Sequence, residues 1–109
     1  MGPKISEAEW KLFRKIHENA LERFCDRVLA EAVQLATKPG ESSHKRYVAV
    51  FELLRTQDKR MGQTFDNPGR SSALYQLASM RAQDLLTEEE FAGFSPETRA
   101  KVDFLLTGR

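Results

Sequence analysis

Cysteine occurs once in these 109 residues, at Cys25. An internal disulfide is therefore impossible, as is a metal site made of several thiolates. A lone cysteine fits a reducing compartment, and the expected location is the cytoplasm. Apolar runs are short. No uncharged stretch approaches the roughly 20 residues that span a bilayer. The opening MGPKISEAEW lacks the apolar block of a secretory leader, so no membrane association is expected. Charge of one sign is missing too: 17 basic residues against 16 acidic ones leave a formal net charge of +1. Dedicated nucleic-acid-binding domains carry a larger basic excess, which makes nucleic acid a secondary candidate. Glycine is too scattered for a phosphate-binding loop. Pro39-Gly40 and Pro68-Gly69 stand alone and read as turns. No segment alternates polar with β-branched residues, so no sheet is expected.

What is present is helical periodicity within one domain. Two clusters of helix breakers, Thr37-Lys-Pro-Gly-Glu-Ser-Ser43 and Phe65-Asp-Asn-Pro-Gly-Arg70, divide the chain. The spacing predicts helices over 6–36, 43–64, 68–86, 88–92 and 96–106. The predicted fold is all-α, an irregular bundle of four to five helices with a long N-terminal helix. Ser6 and Glu9 have the spacing of a capping box. Trp10, Phe13, Ala20, Phe24, Val28, Ala32 and Leu35 then form an apolar stripe, widened by Leu21, Leu29 and Ala36. An unbroken helix of ~30 residues is ~45 Å long, while a compact chain of this size has a radius of gyration of ~13 Å. Such a helix either breaks, or projects and packs on something, most simply a second copy of the chain.

In the second segment Tyr47, Phe51, Leu54, Met61 and Phe65 keep helical spacing, with Val48, Val50 and Leu53 beside them. Apolar residues cover more than one face of its first half, which is therefore expected to be central. In the third, Asn67-Pro68 reads as an N-cap followed by a first-turn proline, with Ser71 or Ser72 as alternative caps. Leu74, Leu77, Ala78 and Leu85 form its stripe, bordered by Tyr75 and Met80.

The acidic stretch LLTEEEFAGFSPET, residues 85–98, reads as a joint between helices. Thr87 and Glu90 have capping-box spacing. Glu88 and Glu89 fall in the first turn, where carboxylates favour the positive end of the helix dipole. Gly93 is expected to end that helix in a left-handed conformation. Ser95 and Pro96 then start a last helix with Val102, Leu105 and Leu106 on its apolar face. Residues 77–91, LASMRAQDLLTEEEF, also resemble the short C-terminal (SHOCT) domain. That domain is a small helical hairpin with leucines on its first helix and a turn of the form Gly-Ile/Leu-Ile/Leu-Thr-x-Glu-Glu-Phe. The matching residues are Leu77, Met80, Leu85, Leu86, Thr87, Glu89, Glu90 and Phe91. Asp84 stands in place of the glycine, and the chain runs on to Arg109. The resemblance implies an oligomerisation or docking role without catalysis.

Catalysis would have to come from Cys25, His17 or His44. No active-site signature surrounds Cys25, and no base is near it in sequence. Glu41 and His44 could share a helix face, but a stable metal site needs a third ligand, and there is no H-E-x-x-H. No catalytic, metal or cofactor site is expected. Lys45, Arg46, Arg55, Lys59 and Arg60 are the candidate phosphate-contacting residues of a nucleic-acid-associated regulator, although Glu41, Glu52, Asp58 and Asp66 lie among them. The leading reading, reached by elimination, is a non-enzymatic protein-interaction or oligomerisation module. Its expected partner is a second copy, a homodimer, with a heterologous protein as the variant. Trp10, Phe13, His17, Phe24 and Val28 are its expected interface.

Overall fold

The structure, a computed structural model, describes residues 4–108. Among these the chain forms five helices and no strand: α1 (Glu7–Ala36), α2 (Ser43–Phe65), α3 (Ala73–Ala82), α4 (Glu88–Ala92) and α5 (Pro96–Thr107). The all-α fold with a long first helix follows the periodicity. α1 is unbroken over 30 residues. Of the two alternatives for such a helix, projection is the one realised. The molecule measures 55 × 26 × 23 Å, with a radius of gyration of 16.8 Å.

α1 and α2 form an antiparallel hairpin joined by the tip at 37–42. At its base, α3, α4 and α5 close a core around Phe13, Ile16, Ala20, Phe24, Phe65, Leu77, Met80, Leu85, Phe94 and Val102. Two of its members, Ile5 and Ile16, lie outside the predicted α1 stripe. Ile16 fills the turn between Phe13 and Ala20. Ile5 is strapped down where the Arg70 guanidinium donates to its carbonyl at 3.0 and 3.2 Å.

Local capping starts most of the helices. Ser6, Ser42, Thr87 and Ser95 each accept from the backbone N–H three residues on. Thr87 and Glu90 complete a reciprocal capping box. The Ser6–Glu9 pair completes only half of one. The Glu9 carboxylate accepts instead from the Ser95 N–H at 2.9 Å and the Thr98 hydroxyl at 2.8 Å, tying α1 to the start of α5.

Several expectations need correction. α3 covers 73–82 rather than 68–86. Asn67 takes φ +50° and does not act as the N-cap. Ser72 precedes α3 without a side-chain cap, because its hydroxyl is bonded to Gly69. Gly93 is not left-handed: its φ is −69°. It is needed for space, since a Cβ there would sit 3.0 Å from Leu12 Cδ2 and 3.3 Å from the Glu90 carbonyl oxygen. Met80 is fully buried rather than at a border, whereas Leu105 and Leu106 stay exposed because α5 outruns the core after Val102. The first half of α2 is not central. It projects past the core with only α1 beside it, which leaves Tyr47, Val48, Phe51 and Leu54 exposed.

Candidate interaction surface

The base of the hairpin is held by polar contacts that leave its opposite face open. α3 ends with Asp84 at φ +56°, a conformation glycine takes most easily and Asp tolerates. The Leu85 N–H donates to the Met80 carbonyl at 2.9 Å, closing a Schellman turn with both side chains buried. The remaining carbonyls of this turn are satisfied from α1. Arg23 donates to the Leu85 carbonyl at 2.8 Å, and Arg27 donates to those of Gln83, at 2.6 Å, and Asp84. Arg23 also grips Glu90 through two bonds of 2.6 and 3.1 Å, and Asn19 adds a third at 3.1 Å. Burial raises the Glu90 pKa, but bonds from Arg23, the Thr87 N–H and Asn19, with the Arg23 charge, outweigh it and hold the carboxyl at about 2. Arg81 lies 3.8 Å over the Phe91 ring and 3.3 Å from Glu88. The three glutamates thus divide into one half-buried latch, Glu90, and two exposed residues, Glu88 and Glu89.

Asn19, Arg23 and Arg27 recur every fourth residue and define the α1 face that α3 and α4 cover. On another face, Glu18, Glu22, Asp26, Leu29 and Val33 also lie three or four apart, and all five are exposed. On α2 the matching exposed row is Tyr47, Phe51, Leu54 and Asp58. Between the two rows runs an open groove of about 620 Å³, lined by Phe24, Cys25, Val28, Leu29, Phe51, Leu54 and Met61 among others. Leu29 is 59% exposed, Phe51 53% and Leu54 45%. Scattered exposed leucines are ordinary, but a contiguous apolar groove makes this face a candidate interaction surface.

The expected interface residues lie deeper than predicted. Phe13 and Phe24 are buried in the chain's own core and cannot serve as a free surface. Trp10 is half-buried and stacks on Phe13, with ring centroids 5.4 Å apart. His17 donates from Nε2 to the Phe65 carbonyl at 2.9 Å and meets the Phe65 ring edge-on. It is a hydrogen-bonded residue at the core's border. Of the five, only Phe24 and Val28 reach the groove. The open surface thus lies toward the tip, in residues that sequence reading placed inside the fold. The signal for it was present: Val33 lies off the Phe13–Phe24–Val28 stripe, and the apolar residues of α2 cover two faces when α1 needs only one.

The basic residues do not converge. Arg46 is engaged at the tip, donating to the Glu41 and Ala36 carbonyls and to the Ser43 hydroxyl, and so caps the end of α1. Arg55 pairs with Glu52 at 2.6 Å, which raises its pKa. Lys45, Lys59 and Arg60 are exposed and spread over ~22 Å of helix. Cys25 lines the groove about 12 Å along α1 from His17, and His44 sits in the first turn of α2 beside the tip. Among the described residues no group of three His, Cys, Asp or Glu could hold a metal ion, and no helix is long and apolar enough to cross a membrane. No family model, curated protein or solved structure matches the chain.

Proposed function

We propose that this chain is a non-enzymatic interaction module of the cytoplasm, which presents the groove face of its projecting hairpin to another protein. The observation that carries the reading is the groove itself. Helices α3 to α5 bury one side of the hairpin and leave the other, with Leu29, Phe51 and Leu54, uncovered. An apolar strip of this kind is the usual seat of a partner helix. The lone Cys25 supports a reducing compartment. The likeness of residues 77–91 to a docking domain points the same way, and in this chain the segment forms the latched base from which the hairpin extends.

The test is whether the groove face is dispensable for folding. A chain carrying both Phe51→Glu and Leu54→Glu is compared with wild type by circular dichroism, chemical denaturation and binding of an apolar dye, at concentrations low enough to keep both monomeric. The variant is expected to keep its helicity and its unfolding free energy within about 0.5 kcal/mol, as for other surface substitutions, and to lose dye binding. Unfolding of the variant would show that the face is structural and would overturn the reading.

A further inference from the structure

The occupant of the groove face follows from its area and its charges, given the reading of that face as an interaction surface. We propose that a second copy of this chain covers it, with the two-fold axis running along the hairpin. Each α1 then lies against the partner's α2, and two hairpins become a four-helix bundle.

The elongated chain has surface to spare. The chain exposes 7397 Å², whereas a compact monomer of 12.5 kDa exposes about 6,200 Å². The excess of roughly 1,200 Å² exceeds the ~800 Å² that one partner buries in a standard interface. Because the base helices pack on the opposite side, no helix covers the groove face; near the base Pro68 shares a cleft with Arg14, His17 and Glu18.

The face is also complementary to itself, as a two-fold interface requires. The middle of its α1 edge is acidic: after Lys11 and Lys15 nearer the base, Glu18, Glu22 and Asp26 precede Leu29 and Val33. Its α2 edge carries Lys45, Arg55 and Lys59 against Glu52 and Asp58, a net positive charge. The Glu52–Arg55 pair is exposed, so Arg55 is free to exchange partners at little cost. The helices run antiparallel, with His17 level with Phe65 and Ala36 level with Arg46. At this register Glu22 is level with Lys59, Asp26 with Arg55, and Leu29 and Val33 with the span Val48–Glu52. An axis along the hairpin keeps these levels, so acids meet bases and apolar residues meet apolar residues. An axis across the hairpin level with Leu29 instead reverses the levels and sets Glu22 of one copy over Ala36 of the other, leaving the acidic residues unpaired.

Three measurements decide the matter. Light scattering behind size exclusion should give twice the 12.5 kDa of one chain at high concentration. Alkylation of Cys25 by iodoacetamide should slow as the dimer forms, because Cys25 lies in the groove. Glu22→Lys and Lys59→Glu should each weaken self-association by about tenfold or more, since like charges then face each other on both edges. Mixing these two single variants should restore a dimer, because the mixed pair matches at both edges. A chain that stays monomeric while the Phe51→Glu, Leu54→Glu variant folds normally would overturn the second copy as occupant, but leave the groove open to a different protein. A dimer with unchanged Cys25 reactivity would place self-association elsewhere, for instance at the exposed Phe104–Leu106 end of α5, and would overturn the proposal. Unfolding of the Phe51→Glu, Leu54→Glu variant would instead defeat the interaction-module reading itself.

Discussion

Phe13 and Phe51 occupy equivalent kinds of position, each on an apolar row of a long helix in the same hairpin. Phe13 is fully enclosed and Phe51 is half exposed. The difference lies in what surrounds each residue. At the base, α3, α4 and α5 wrap the hairpin and supply Leu77, Met80, Phe94 and Val102. Toward the tip each helix has only the other, and two helices side by side cannot cover all of each other's apolar surface. Apolar residues at the base therefore stabilise the monomer, and those toward the tip stay exposed.

Truncation should separate the two regions most sharply. Phe94→Ala removes a ring that is 2% exposed, and should destabilise the monomer by about 3–5 kcal/mol in chemical denaturation. If Phe94→Ala and a tip substitution had equal effects, the division into two regions would fail. A smaller effect is expected from the latch. Glu90→Gln keeps the shape but removes the charge that Arg23 grips, and should cost about 1–3 kcal/mol near neutral pH. The sign of its pH dependence follows from the direction of the shift. The Glu90 pKa is lowered from 4.5 to about 2, so its charge stabilises the fold fully above the unfolded value, and that contribution is lost as pH falls toward about 2. Unfolding curves of wild type and Glu90→Gln should therefore converge between these limits, and a constant gap would sink the assignment. The smallest effect is expected at the tip. Val33→Ser should change monomer stability by no more than about 0.5 kcal/mol, measured below the association threshold.

Much of the local architecture was legible in the chain itself. The α1, α2, α4 and α5 boundaries follow from Ser6, the Thr37–Ser43 break, the Thr87–Glu90 box and Ser95-Pro96, because a cap and its target lie three residues apart and need no other element. The start of α3 was missed because Asn67 and Ser72 both have cap-forming side chains, and only the folded backbone decides which conformation each takes. The open apolar face was misplaced for a different reason. Helical spacing shows that a face is apolar but carries no information about whether another element covers it, so Phe13 and Phe51 looked alike.

The sequence by itself determined that this protein is all-helical, where most of its helices begin and end, and that its first helix is too long for a compact globule, since these depend on contacts within a turn or two. Tertiary structure decided that Arg23 and Arg27 would hold the α3–α4 turn, that Glu9 would leave its own cap to bind the start of α5, and that one side of the hairpin would stay open. Those outcomes join residues more than fifty positions apart, and only packing brings such residues together.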